Sequence, residues 1–302
     1  MIRIGMVDFD TSHVGQFTRR LNHVAIGEEQ WVDGAQVVMG CPGTSEITDR
    51  ETIEKYTREM TDDFGIEIVN DRTDMIGKID AVMVESQDGS VHLERVRPFL
   101  EAGIPSYVDK PFACSVADAN EMVRLAESKG LPLFSASSLR YGMDIVEFNA
   151  NLDETGAVIG ADAYSPASLH PRNPGLFHYG IHGVETLYTL MGPGCQSVRC
   201  VSSEGVDMVT GLWEGGRIGT IRGTRDGGHL YGFTAFCEKK VVQSSINAGT
   251  IYRELLKQVV KMFETGQAPL DIAVTVEIVA FIVAAQDSSQ RGGEAVAVER
   301  DS

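Results

Sequence analysis

Basic residues are scarce in this sequence. Its 26 lysines and arginines stand against 43 aspartates and glutamates, a formal charge of −17. Phosphate backbones and anionic lipid repel such a chain, so nucleic acid and membrane are excluded as partners. Thiols are few as well. Five cysteines (41, 114, 195, 200 and 237) in 302 residues do not make a disulfide framework. Cys195 and Cys200 lack the tight spacing and extra thiols of a zinc site. This cysteine usage fits a reducing cytoplasm. No apolar run reaches the roughly 18 residues of a bilayer span. Residues 1–7 lack the basic region and cleavage site of a signal peptide. Repeats and low-complexity segments are also missing.

What is present is a soluble-type composition, 43% hydrophobic and 23% charged, in a chain long enough for two domains. Up to residue 138, short apolar runs (2–7, 35–39, 66–69, 81–84, 106–108, 132–135) alternate with helical patterns (13–22, 47–60, 73–77, a helix carrying His92, and 116–129). That alternation predicts a doubly wound parallel, Rossmann-like sheet over 1–138. Ser12 and Ser90 are expected to cap helices, and Pro98 to kink the helix it interrupts. From 139 to 302 the pattern changes. Helices are expected over 143–152, 176–191, 252–264 and 272–289. Strands are expected at 160–165, 197–203, 207–213, 217–224, 231–237 and 241–245, with hairpin turn chemistry at Gly215-Gly216 and Asp226-Gly227-Gly228. They predict a mainly antiparallel open sheet in an α/β domain. Residues 299–302 are expected to fray.

The run 103–113 (GIPSYVDKPFA) organises the rest. Proline disfavours helical geometry at the residue before it, so Lys110 is held extended at a strand's end. Ligands of open α/β sheets bind beyond that end. Asp109-Lys110-Pro111 resembles the Glu-Lys-Pro signature of the Gfo/Idh/MocA oxidoreductases. Ser86-Gln87-Asp88 with His92, the run 180–185 (GIHGVE), and the helical run 252–289 resemble other parts of that family in the same order. The resemblance implies NAD or NADP as cofactor, a sugar, polyol or related hydroxy compound as substrate, and a homodimer or homotetramer. It would make 139–302 the substrate-binding and oligomerisation domain. Lys110 would polarise the reacting oxygen and His182 would act as acid/base. Asp8, Asp10, Thr11, Ser12, His13, Ser86, Gln87, His92, Asp109 and Pro111 fall on cofactor-lining positions.

The chain departs from the family at its first turn. The three glycines of Gly-x-Gly-x-x-Gly fall on Asp8, Asp10 and His13, and the second strand ends in Gly40-Cys41-Pro42, without an acid for the ribose. A carboxylate about 6 Å from a phosphate, at an effective dielectric of about 20, is repelled by roughly 3 kcal/mol. Three outcomes stay open. The acids turn away and Thr11, Ser12 and helix amides hold the phosphates; a cation bridges Asp8 and Asp10 to the ligand; or the dinucleotide has been given up. Asp8 reads as a turn residue with local backbone bonds, and His13 as a solvent-exposed first-turn residue.

His178, His182 and Glu185 lie at i, i+4 and i+7, on one face of the expected helix. By the resemblance, His182 is the acid/base, and His178 and Glu185 replace two family acids at the substrate. Arg140 and Tyr141 resemble an Arg-aromatic pair lining the cleft. His170 and Arg172, in the preceding loop, suit an anionic or polyol substrate. Two other classes are carried as alternatives: a cofactor-free ligand-binding or regulatory homologue, and a metal-dependent lyase or isomerase using His178, His182 and Glu185.

Overall fold

A computed structural model describes residues 1–301. The chain divides into two compact units.

The first unit comprises Met1–Ala113, Asp118–Ser135 and Tyr252–Ile272. Its strands are β1 (Ile2–Val7), β2 (Ala35–Cys41), β3 (Glu67–Ile68), β4 (Ala81–Val84), β5 (Ser106–Val108) and β6 (Leu133–Phe134). They form one sheet in the order β3-β2-β1-β4-β5-β6, and every pairing is parallel. The apolar runs are continuous because both faces are covered: all four residues of β4 and all three of β5 are buried. The helices are α1 (His13–Leu21), α2 (Arg50–Arg58), α3 (His92–Glu101) and α4 (Val116–Ser128). The unit is completed late in the sequence, at the helix Ile251–Thr265. There the Tyr252 ring packs edge-on against His13 and Phe17, at 5.2 and 5.5 Å.

The second unit comprises Cys114–Ala117, Ala136–Ile251 and the chain from Ala273 onward. After α5 (Met143–Ala150) and α6 (Leu152–Thr155) come β7 (Val158–Pro166) and α7 (Ile181–Met191). Then follow β8 (Cys195–Ser202), β9 (Val206–Trp213), β10 (Ile218–Thr224), β11 (Gly232–Cys237) and β12 (Val241–Ser245). With α8 the helix Ile251–Thr265, the chain ends in α9 (Ile272–Gln290) and β13 (Val296–Ala297). The sheet order is β12-β11-β7-β10-β9-β8-β13, with β7–β10 its single parallel pairing. Alternate residues such as Ala161, Val209, Ile221 and Phe233 are buried. Leu212, Ile218 and Phe236, of the opposite parity, remain exposed. α7 lies close on the sheet because Gly183 has no Cβ; one added there would strike Ile221 and Ser165. Trp213, Tyr188 and Phe281 form an aromatic cluster with centroids 5.5–6.1 Å apart.

Several expectations need correction. The second strand runs through Gly40 and Cys41 rather than breaking at Gly40. Ser12 holds the N-cap position of α1 but makes no capping bond. Asp88, not Ser90, does the capping near α3: it accepts from the amide of Ser90 at 2.8 Å. α3 runs through Pro98 without interruption. The helix expected from 176 begins only at Ile181, after a 3-10 turn at Gly175–Phe177. Arg300 is not frayed: it pairs with Glu277 at 2.7 Å. Ser302 lies outside the described residues. α9 is long and apolar enough to meet the length and composition of a membrane span, contrary to the reading of the sequence. Most of it is buried within the protein.

Candidate functional site

In the first unit, the three adjacent strands β1, β4 and β5 each run directly into an acid: Asp8, Glu85 and Asp109. All three are buried, as are Asp10 and His13. Ligand sites of such sheets lie at these strand ends. A buried carboxylate must be paired or protonated, so the partners of each acid decide what the site can hold.

Asp8 adopts φ +62, the left-handed conformation that a glycine normally supplies here and that aspartate tolerates better than most residues. Its Oδ2 accepts from Ser86 Oγ at 2.6 Å and Arg95 Nε at 2.8 Å. These are long-range bonds, not the local turn bonds expected. Gly43 has φ +65, and a Cβ there would collide with the Asp8 carboxylate. Asp10 accepts from the amide of Gln87 at 2.9 Å. Burial pushes its carboxyl above the ordinary range, offset in part by hydrogen bonds from Ser45 and Gln87.

His13 is buried rather than solvent-exposed, because its ring stacks on Phe17 at 4.9 Å and its Nδ1 donates to Asp109 Oδ2 at 2.8 Å. Tyr107 donates to the other Asp109 oxygen at 3.3 Å. Lys110 Nζ lies 3.8 Å from Asp109 Oδ2, with its side chain 12% exposed. Burial alone would raise the Asp109 carboxyl; His13 and Lys110 outweigh it and hold the group well below the usual range. Glu85 is different. Neither of its oxygens has a hydrogen-bond partner. Burial, and then the Asp109 charge, push its carboxyl well up. The lysine is followed by a buried Pro111, across a cis peptide bond.

His92 is fully buried, with Nε2 2.7 Å from Ser86 O and Nδ1 3.1 Å from Phe112 O. It braces the loop after β4. Both ring nitrogens are engaged, so neither is open to a cofactor.

A dinucleotide finds no glycine cradle in this unit, since side chains occupy all three glycine positions. The acids are nevertheless drawn inward: Ser86 and Arg95 hold Asp8, Gln87 holds Asp10, and His13 holds Asp109. The exposed residue of the turn is Ser12, whose hydroxyl caps nothing, at the amide end of α1. Helix amides and a hydroxyl there suit an anion, so the turn fits a diphosphate in this reduced form.

In the second unit, His182 lies on α7, half-buried, with Nδ1 2.6 Å from Ser137 Oγ. Ser137 caps the 3-10 turn Ser138–Tyr141, accepting from the amide of Leu139 at 3.2 Å. The rings of Tyr179 and Tyr231 stand edge-on to His182, at 5.8 and 5.6 Å. Arg140 and Glu185, both expected at the substrate, are joined to each other. Arg140 Nε and Nη2 donate to Glu185 Oε2 at 2.9 and 2.6 Å, and the amide of Ser137 donates to Oε1 at 3.2 Å. The half-buried Tyr141 follows Arg140 in the turn, and burial raises its hydroxyl pKa. His178 lies outside α7, so the two histidines do not share the helix expected to carry both. The His178 ring is 5.5 Å from that of His170, whose Nδ1 accepts from the amide of Arg172. The geometry does not gather His178, His182 and Glu185 as metal ligands, because Arg140 and Ser137 hold the Glu185 carboxylate. Among the described residues, the group whose ligand atoms do gather is His13, Glu85 and Asp109.

The sequence reading missed Glu85 and Ser137. The first had a visible signal: an acid directly after the buried run of β4, in register with Asp8 and Asp109. The second stood in a run of small residues, 135–138, with nothing to single out one serine.

Residues 46–137 match the model of the Gfo/Idh/MocA family, described as an oxidoreductase family with an NAD-binding Rossmann fold. Over that stretch, the chain is similar to the Gfo/Idh/MocA oxidoreductases. The resemblance first drawn from Asp109-Lys110-Pro111 is borne out there. The match begins after the aberrant first turn. Solved structures of dehydrogenases share the fold across nearly the whole chain. A probable dehydrogenase from Thermotoga maritima aligns with TM-score 0.83 and 17% identity, over 98% of this chain and 99% of that one. The myo-inositol 2-dehydrogenase of Lactobacillus plantarum aligns with TM-score 0.80 and 15% identity, over 99% of each. The scyllo-inositol dehydrogenase of Lactobacillus casei, solved with NAD(H) and scyllo-inositol, aligns with TM-score 0.80 and 14% identity, again over 99% of each. No curated protein matches the chain.

Proposed function

We propose that this protein is an NAD(P)-dependent oxidoreductase acting on a sugar, polyol or related hydroxy compound. The observation that carries the reading is Lys110. It follows an interior strand of a parallel sheet, its side chain is largely buried, and it lies inside the stretch that matches the Gfo/Idh/MocA family. Inositols, named for two of the structural relatives, are the first substrates to try.

The nicotinamide ring, when bound, accepts or returns a hydride. Thr11, Ser12 and the amides opening α1 would hold its phosphates. The Lys110 ammonium polarises the reacting hydroxyl or carbonyl oxygen and stabilises negative charge on it. His182 takes the proton from the hydroxyl, or returns it in reduction. Ser137 fixes the imidazole by its bond to Nδ1.

Titrating NADH and NADPH by fluorescence tests the cofactor. Micromolar binding of either supports the reading, whereas no binding at millimolar cofactor favours the cofactor-free homologue. Lys110→Met should abolish turnover of any substrate found while leaving the far-ultraviolet circular dichroism unchanged. Retained turnover removes Lys110 from the mechanism.

A further inference from the structure

We propose that His13, Glu85 and Asp109 form a binding site for a divalent first-row cation, Zn2+ or Mn2+. The ligand atoms are His13 Nδ1, an oxygen of Glu85 and Asp109 Oδ2, all within 4.8 Å of one another. Bonds of about 2.0–2.2 Å to such an ion place neighbouring ligand atoms about 3–3.5 Å apart. The measured separations bracket that range: 2.8 Å from His13 to Asp109 and 4.0 Å from His13 to Glu85. Small side-chain adjustments would close the shell.

The independent sign of a ligand is Glu85. It is fully buried, points at His13, and has no hydrogen-bond partner for either oxygen. Buried polar groups are nearly always satisfied, and an exception calls for an explanation such as an ion. A cation accounts for it directly. Lys110 does not, since its ammonium lies beside Asp109 and makes no hydrogen bond to Glu85.

The surroundings suit the role. The ligands come from the ends of two adjacent strands, β4 and β5, and from the first residue of α1. Tyr107 donates to Asp109 Oδ1, which leaves Oδ2 for the ion. Phe17 and Tyr252 fix the plane of the His13 ring. One imidazole and two carboxylates match Zn2+ or Mn2+ better than Ca2+ or Mg2+, which favour all-oxygen sites. Two carboxylates balance the two positive charges when the imidazole is neutral. Binding therefore displaces the Nδ1 proton that His13 now gives to Asp109. The ion would bring positive charge to the turn where this chain has acids in place of glycines. The site is distinct from the bridge between Asp8 and Asp10 considered from the sequence, and it does not depend on the oxidoreductase reading.

The test uses full-length protein purified without a histidine tag and dialysed against chelator, with no nucleotide present. Mn2+ is titrated by electron paramagnetic resonance and Zn2+ by calorimetry. One equivalent should bind, weakened on the order of a hundredfold in Glu85→Gln and in His13→Ala. Failure to bind millimolar metal would overturn the proposal, as would unchanged affinity in both folded variants. A reading on the wild-type protein covers the case in which the variants do not fold. Pulsed resonance of the Mn2+ complex should show coupling to one histidine nitrogen, and no such coupling would also overturn it. A protonated-carboxyl infrared band that persists in the metal-loaded protein and vanishes in Glu85→Gln would assign Glu85 to a bound proton and overturn it too.

Discussion

Replacing Arg140 with methionine removes one half of a buried ion pair. The side chains of Arg140 and Glu185 are 9% and 3% exposed, and their charged atoms approach to 2.6 Å. At that distance and an effective dielectric of about 20, the gross attraction is roughly 6 kcal/mol. Removing both ions from water costs several kcal/mol each, so the intact pair adds little net stability. Breaking it is another matter. Methionine fills much of the arginine's volume but leaves the Glu185 carboxylate buried with only the amide of Ser137, a cost of about 3–5 kcal/mol. In a chain of this size that lowers Tm by roughly 5–8 °C. Adding Glu185→Gln removes the stranded charge and keeps an acceptor for Ser137. The double variant should therefore recover at least about 1 kcal/mol over the sum of the single losses. Urea unfolding followed by Trp213, which is fully buried in the same unit, measures all three variants. A loss below about 1 kcal/mol in Arg140→Met, or strict additivity in the double variant, would refute the reasoning.

Two further outcomes are expected. Burial pushes the Cys195 thiol up to about 12, and Cys41, Cys200 and Cys237 are also buried. Brief treatment of native protein with iodoacetamide at pH 8 should therefore label only the partly exposed Cys114; mass-spectrometric detection of modified Cys195 would contradict this. Hydrogen bonds from the side chain and amide of Arg3 hold the Asp80 carboxyl at about 2, below its unfolded value of 3.8. Its contribution to stability is therefore present above the unfolded value and lost as pH falls towards the folded one. Both side chains are about half exposed, so the loss is less than about 1 kcal/mol. The urea midpoint of Arg3→Met should approach that of the wild type between pH 5 and pH 2, and a constant gap would contradict the assignment.

The fold was legible where burial writes itself into a run of residues. The runs of β1, β4 and β5 are apolar throughout because helices cover both faces, and the alternation of β9 to β11 marks a sheet with one buried face. Lys110 was legible for a local reason, since proline constrains its neighbour wherever the chain goes. The site's internal partnerships were not. Arg140 and Glu185 are 45 residues apart and His13 and Asp109 are 96 apart, and nothing in composition or spacing announces such a meeting. The start of α7 was misplaced because His178, Ile181, His182 and Glu185 keep helical spacing across a 3-10 turn that periodicity alone does not reveal. His13 was read as exposed because its burial is completed by Tyr252, more than 200 positions later in the sequence.

That late contribution limits how the molecule can be dissected. The residues that seat Tyr252 against His13 and Phe17 are encoded after six of the seven strands of the second sheet. A gene fragment ending at residue 135 would encode every strand of the parallel sheet and still expose the apolar flank of α1 to water. Supplying residues 252–272 as a separate peptide is the natural complement, and a circular permutant that brings the two segments together in sequence is the natural way to isolate the nucleotide-type half.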